Sequence, residues 1–188
     1  MQHLPQNSLI SPRTGVLIGM IAFAVAVRLL IYFVPGVFPY NFTPVEAIAL
    51  FGGAYFSDRR LAFIVPLAAM FLADLVIGLH PLIPVIYGCI AASVLLGFAL
   101  REKISVLRVA GCGIAGSIMF FAVVSFAEWL IGDTEFCRAG IVSCYVAAIP
   151  FLKSWLAGTL VWSAILFGGF EAMRARWPML QSTAARAH

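Results

Sequence analysis

Long apolar runs separated by short polar or basic stretches make up the sequence from about residue 14 to residue 170. A helix needs about 20 mostly apolar residues to cross the roughly 30 Å hydrocarbon core of a bilayer. The pattern therefore predicts an all-α fold, an integral membrane bundle of six transmembrane helices. The expected segments are residues 14–34, 43–57, 61–79, 82–100, 106–132 and 141–170. Residues 1–13 and 171–188 are expected to be cytoplasmic tails that flank this single domain.

Two segments carry signals for their own start or interruption. Thr43-Pro44-Val45-Glu46 has the pattern of a capping box with proline at the first helical position, so a helix is expected to begin there. The last segment is roughly 45 Å long at about 1.5 Å per residue, which exceeds one perpendicular span. It contains Pro150, and we expect a kink or break between a short outer piece and the span that follows.

Composition and charge exclude a water-soluble protein and give the bundle a direction. Hydrophobic residues make up 63% of the chain and charged residues 11%, whereas soluble domains carry roughly a quarter charged residues. The net charge of +4 does not indicate nucleic-acid binding, because the basic residues lie between apolar runs. With both termini inside, the rule that cytoplasmic loops are basic is satisfied. The cytoplasmic set is then Arg13, Arg59, Arg60, Arg101, Lys103, Arg108, Arg174, Arg176 and Arg186.

Ionisable residues inside the apolar segments are the first candidates for function. They are Arg28, Glu46, Asp74, Glu128 and Lys153. Each costs about 2.5 to 3.5 kcal/mol at mid-bilayer when it faces lipid, so they should face one another, water or a ligand. One interpretation is buried ion pairs, such as Arg28 with Asp74 or Lys153 with Glu128. The other is a polar cavity that opens outward, because all five are predicted toward the outer half.

The predicted outer loops add further candidates. His80 is a candidate imidazole ligand for a substrate or a metal ion, or else a solvated loop residue. Tyr87 and Asn41 are expected at a similar level. Cys137 and Cys144 are both predicted to be outer, and they either pair in an oxidising compartment or remain free thiols.

The sequence contains no motif of the common enzyme classes. HExxH, GxSxG and the phosphate-binding P-loop are missing, and no Gly-x-Gly-x-x-Gly string stands in the strand-to-helix context that dinucleotide binding requires. We therefore expect no enzyme, no cofactor and no ATP-hydrolysing module. Powered transport would then need a partner. A weaker alternative is an intramembrane enzyme that uses Asp74 and Glu128 as paired carboxylates.

Several strings resemble a family of small uncharacterised bacterial membrane proteins. These are residues 41–56 (NFTPVEAIALFGGAYF), 66–70 (PLAAM), 74–80 (DLVIGLH), 144–151 (CYVAAIPF) and 166–169 (LFGG). The resemblance covers most of the chain from Arg28 to Gly169. That family is in turn similar to the substrate-binding S-components of energy-coupling-factor (ECF) transporters.

S-components have six helices and a vitamin or metal site on the outer side, closed by loops. An Ala-x-x-x-Ala motif on their first helix meets the transmembrane coupling subunit, and Ala22 and Ala26 match it in position. Ser125 stands where the resemblance implies asparagine, and Gly158-Thr159 where it implies Gly-Asp. The substrate could therefore differ from that of the similar proteins.

The leading hypothesis is an S-component-like subunit in the bacterial cytoplasmic (inner) membrane that takes up a vitamin-type or metal micronutrient from outside. The expected substrate contacts are Arg28, Asn41, Asp74, His80, Tyr87 and Glu128. Cobalamin is one candidate, with His80 as the cobalt or other metal ligand. The expected partners are an ECF-type coupling subunit and its ATPases, besides membrane lipid. The alternative is a membrane scaffold or assembly protein with no small-molecule site.

Overall fold

A computed structural model describes residues 12–132 and 134–176 of the chain, with side chains from residue 16 onward. All regular structure in this part is helical, which confirms the predicted all-α class. The helices are α1 (Pro12–Phe33), α2 (Val45–Tyr55), α3 (Arg59–Ile77), α4 (Ile83–Ala99), α5 (Val106–Ile131), α6 (Glu135–Arg138) and α7 (Ile141–Arg176).

Four of these helices indicate a membrane protein by their length and composition. They are α1, α3, α5 and α7, each with an apolar stretch of at least 18 residues. The other two long elements are shorter: α2 has 11 residues and α4 has 17, roughly 16 Å and 25 Å at 1.5 Å per residue. Six spans with both termini inside therefore stay a prediction.

The short helix α2 lies at the centre of the bundle. It packs against α3, α4, α5 and α7, and every residue from Val45 to Gly53 is buried. A helix that is apolar on all sides is stable only when it is surrounded in this way. By contrast, α1 packs mainly on α3 and leaves Ala22 and Ala26 exposed.

The backbones of α2 and α4 touch at a pair of glycines. A Cβ atom on Gly53 would lie 2.4 Å from the carbonyl oxygen of Val94. One on Gly97 would lie 2.5 Å from the carbonyl oxygen of Leu50. Small residues allow apolar helices to approach this closely, so these two glycines bring α4 against the central helix.

Arginines cap helices at one end of the bundle, which we call the basic end. Arg101 donates from Nε to the carbonyl of Gly53 and from Nη2 to that of Phe56, both at 2.7 Å, at the end of α2. Arg108 donates to the carbonyl of Ala99 at 2.8 Å, at the end of α4. Cations are favourable at helix C-termini. Burial lowers the pKa of Arg101, with a smaller contribution from Arg59, but a guanidinium remains charged in proteins.

The predicted capping box is wrong. The residue before α2 is Pro44, and no side chain caps the helix. Thr43 Oγ1 is buried without a hydrogen-bond partner. The carboxylate of Glu46 does not fold back onto the N-terminus, because polar groups of three other helices bind it in the interior.

Of the kink or break predicted at Pro150, the break is wrong, because α7 is continuous from Ile141 to Arg176. Proline removes its own N–H from the helical hydrogen-bond ladder and crowds the carbonyl four residues before it. In apolar surroundings such a loss is tolerated inside a helix when neighbouring groups compensate. The helix is therefore roughly 54 Å long. The four-residue α6 precedes it at the end of the bundle opposite the basic end, and we call this the α6 end.

Candidate functional site

A buried carboxylate joins four helices at the centre of the bundle. Glu46, in the first turn of α2, is 1% exposed. Ser93 Oγ donates to its Oε1 at 3.2 Å. Its Oε2 accepts from Ser117 Oγ at 3.2 Å, from Thr159 Oγ1 at 3.0 Å and from the indole Nε1 of Trp155. These four uncharged donors come from α4, α5 and α7, and we call this set with Glu46 the Glu46 cluster.

The Glu46 cluster lies near mid-height because α2 begins deep in the bundle. A Cβ atom on Gly116, near the middle of α5, would lie 2.2 Å from Glu46 Oε1. The connection before α2 therefore also runs deep. A Cβ atom on Gly158 would lie 3.0 Å from the Cα of Phe42, and Trp162 Nε1 donates to the Phe42 carbonyl at 3.4 Å. Irregular backbone at such depth is tolerated where protein covers it.

A cavity of about 500 Å³ extends from the α6 end to the Glu46 cluster. Ser117 and Trp155 form its floor, and both donate to Glu46. The Trp155 ring stacks on Phe120 with centroids 4.1 Å apart. The lining is Asn41, Ser117, Phe120, Phe121, Val124, Ser125, Glu128, Thr134, Phe136, Cys137, Cys144, Ala147, Ala148, Phe151, Leu152 and Trp155. Ligand pockets of drug-sized molecules have this volume and this mostly apolar character.

A disulfide closes part of the cavity wall. Cys137 of α6 and Cys144 in the first turn of α7 are bonded, which confirms the paired alternative. Both residues are buried and line the cavity. Gly132 and Gly140 flank the segment with φ angles of 65° and 136°, which glycine adopts readily. The disulfide thus holds α6 beside the cavity.

A second polar cluster joins α1, α3 and α4. Arg28 Nη2 lies 2.7 Å from Asp74 Oδ1, and Tyr87 donates to Asp74 Oδ2 at 2.9 Å. Arg28 Nη1 also contacts the sulfur of Met70 at 2.7 Å. The predicted ion pair of Arg28 with Asp74 is confirmed. None of these residues is among those that line the cavity.

The predicted substrate contacts are therefore not all in one place. Asn41 and Glu128 line the cavity, whereas Arg28, Asp74 and Tyr87 form the separate cluster. His80 is exposed in the connection between α3 and α4 and does not line the cavity. Within the described residues, no group of three or more His, Cys, Asp or Glu side chains could hold a metal ion.

Glu46 was among the ionisable residues of the apolar segments but not among the expected substrate contacts. Its donors Ser117, Trp155 and Thr159 were not predicted to contact it. A usable signal was present, since single hydroxyl residues interrupt otherwise apolar helices at Ser93, Ser117 and Thr159. Such residues need a buried partner.

No curated protein and no solved structure matches the chain significantly. The model of a family of unknown function, DUF6580, matches residues 8–180. This match spans nearly the whole sequence, and the chain therefore belongs to the family of unknown function DUF6580.

Proposed function

We propose that this protein is a membrane transport protein that binds a small organic molecule in the cavity between α5, α6 and α7. The observation that carries the proposal is the cavity itself, about 500 Å³ in volume, which reaches from the α6 end to mid-bundle. The cavity is half open to the exterior, and clefts of this volume with mostly apolar walls are where proteins bind small molecules. A cavity of this size is therefore better explained by a ligand than by the fold.

The cavity lining favours an amphipathic ligand of about the size of a simple vitamin. Aromatic and aliphatic side chains form most of the walls, and Asn41, Ser125 and Thr134 offer polar contacts. Among the described lining residues, the charged one is Glu128, which also interacts within the chain. A neutral or cationic molecule suits these walls better than an anion.

The same geometry gives less support to two of the earlier candidates. Cobalamin is much larger than a drug-sized molecule, and His80 lies away from the cavity, so it offers no axial ligand there. A bare metal ion suits a mostly apolar cavity poorly, because metal ions need converging nitrogen, oxygen or sulfur ligands.

The proposal keeps the S-component-like mode of action. Substrate would enter at the α6 end, which faces outward if the basic end faces the cytoplasm of a bacterial inner membrane. An ECF-type coupling subunit with its ATPases would supply the energy. Its expected contact is α1, where Ala22 and Ala26 are exposed, because small residues permit close helix packing.

A membrane scaffold is the second candidate, and the Arg28–Asp74 pair favours it. That pair joins α1 to α3 and needs no ligand to explain it. A scaffold function, however, does not account for the cavity above the Glu46 cluster.

Equilibrium dialysis of the purified protein against a panel of radiolabelled vitamins tests the proposal. Ala148 lines the cavity, and Ala157 is exposed on the same helix. Ala148→Trp should abolish binding of the vitamin that the unchanged protein retains, whereas Ala157→Trp should not. The proposal is wrong if no member of the panel binds, or if Ala148→Trp binds as well as the unchanged protein.

A further inference from the structure

The carboxyl group of Glu46 is buried without a cationic partner. It is 1% exposed, and no Lys, Arg or His forms a salt bridge with it in the described part of the chain. Its four partners are three hydroxyl groups and an indole N–H. A buried carboxylate without a counter-ion is costly, and uptake of a proton removes that cost. An ionisable residue at membrane depth is also a candidate functional group by its position alone.

The hydroxyl of Ser93 lets the cluster satisfy both protonation states. Ser93 Oγ lies 3.2 Å from Glu46 Oε1 and 3.3 Å from the carbonyl oxygen of Cys89. When Glu46 is ionised, Ser93 donates its proton to Oε1. When Oε1 carries a proton, that O–H donates to Ser93 Oγ, and the hydroxyl proton of Ser93 turns to Cys89. A hydroxyl both donates and accepts, so the change needs only a rotation of one O–H bond.

The donors favour a proton over a metal cation at this position. The Trp155 indole N–H can only donate, and it is directed at Glu46 Oε2. A metal ion bound to that oxygen would face the positive end of the N–H dipole. A proton on Oε1 leaves the bonds from Trp155, Ser117 and Thr159 to Oε2 intact.

The cavity floor connects Glu46 with the α6 end. Ser117 lines the cavity and lies 3.2 Å from Glu46 Oε2. Ser117 is itself fully buried, so water must enter the floor of the cavity to reach its hydroxyl. The hydroxyl both accepts and donates and can pass a proton to Oε2, and a half-turn of the carboxyl group then brings that proton to the side of Ser93. A molecule that occupies the cavity would cover this route, so ligand occupancy and proton exchange would be linked.

Few other titratable groups lie close enough to bind the proton in place of Glu46. On α4, Cys89 interacts electrostatically with Glu46. In the described part of the chain, α5 and α7 bind Glu46 through hydroxyls and the indole, while Glu128, near the end of α5, lines the same cavity. On α3, Asp74 is paired with Arg28, while Arg59 and Arg60 lie at the start of the helix, at the basic end.

We propose that Glu46 is a proton-binding site that exchanges its proton with the α6 end through Ser117 and the cavity. This gives transport by the protein a proton-coupled step, which goes beyond binding of the organic molecule. The site does not depend on the identity of that molecule, and it can be tested with protons alone.

Infrared difference spectroscopy of the purified protein between acidic and alkaline pH tests the proposal. We expect one carboxylic-acid C=O band that disappears in Glu46→Gln and persists in Glu135→Gln, which changes an exposed residue of α6. Transfer from H₂O to D₂O should shift this band. Ala148→Trp, which fills the cavity, should slow the shift by more than an order of magnitude, and Ala157→Trp should leave its rate unchanged.

A second measurement does not require Glu46→Gln to fold. The other glutamates are Glu102, Glu128, Glu135 and Glu171. Replacing all four by glutamine in protein made with carboxyl-¹³C glutamate leaves Glu46 as the one labelled side-chain carboxyl group. The proposal is overturned if this group keeps one protonation state at every pH at which the protein stays folded. It is equally overturned if the group responds to sodium chloride at constant pH and not to pH. If no vitamin binds, the measurement still shows whether Glu46 takes up a proton. The proton-binding proposal and the vitamin-binding proposal can therefore be overturned independently.

Discussion

The indole of Trp155 donates its N–H to Glu46 and also forms part of the cavity floor. A ligand that enters the cavity therefore meets the group that holds the buried carboxylate. The emission of Trp155 should change on ligand binding. A variant with Trp129→Phe, Trp162→Phe and Trp177→Phe keeps Trp155 as the one tryptophan, so titration with the bound vitamin reports on it directly. Unchanged emission at saturating vitamin would place the ligand elsewhere.

Removing the carboxyl group of Glu46 should destabilise the bundle strongly. In Glu46→Ala the buried donors Ser117, Thr159 and Trp155 lose their shared acceptor, and each unsatisfied buried group costs about 1 to 3 kcal/mol. Glu46→Gln keeps one carbonyl oxygen and should cost less. Thermal unfolding in detergent should rank the unchanged protein above Glu46→Gln, and Glu46→Gln above Glu46→Ala. Equal midpoints for the two variants would contradict the proposed hydrogen-bonding role.

The contact between α2 and α4 should not tolerate a methyl group. Gly97→Ala places a Cβ atom 2.5 Å from the Leu50 carbonyl oxygen and 2.9 Å from the Gly53 Cα, both backbone atoms. Overpacking of this kind costs about 1 to 3 kcal/mol. Gly88 on the same helix has no atom within 4 Å of such a Cβ, so Gly88→Ala should be neutral or slightly stabilising. The two variants are compared by thermal unfolding, and equal stability would show that the helices can separate without cost.

The Arg28–Asp74 pair should show strong coupling in a double-mutant cycle. Removing one partner leaves the other charge buried and unpaired, which costs about 3 to 5 kcal/mol. Arg28→Met and Asp74→Leu should each destabilise the protein more than the double variant does. Additive losses in thermal unfolding would mean that the two side chains act independently.

Reduction of the Cys137–Cys144 disulfide should release α6. The loop that it closes is short, with a sequence separation of 7, so the chain-entropy model gives a loss of about 2 to 3 kcal/mol. Dithiothreitol should lower the unfolding midpoint and weaken vitamin binding. Cys137→Ser with Cys144→Ser should reproduce both effects and make the protein insensitive to the reductant. Cys112→Ser changes a free cysteine and serves as the matched control.

The elements that the sequence could predict are those that depend on local pattern or on opposite charge. Continuous apolar runs located the long helices, and the cost of burying lone charges made a pair of Arg28 with Asp74 one of two interpretations. Glu46 shows why the rest was harder. Its local motif indicates a helix cap, but its partners are 47 to 113 residues away in sequence. Their position follows from how α4, α5 and α7 pack around α2, which no short motif encodes.

Pro150 and α2 illustrate the same limit for the fold. A proline usually ends a helix, but whether one lost hydrogen bond matters depends on neighbours that lie outside the local sequence. The second apolar segment was predicted to be helical from residue 43 to residue 57, whereas α2 runs from Val45 to Tyr55. Its local sequence also gave no sign that the connection before α2 lies buried against Gly158.

The shortness of α2 has a consequence for biogenesis. At 11 residues, roughly 16 Å, it cannot cross the roughly 30 Å hydrocarbon core alone. The cell's insertion machinery cannot treat it as an independent span, and its helical ends would be unsatisfied in lipid. The final position of α2 can therefore form only after later parts of the chain have been synthesised, because α5 and α7 carry Ser117, Trp155 and Thr159. A helix that is made after α2 therefore completes the environment of α2.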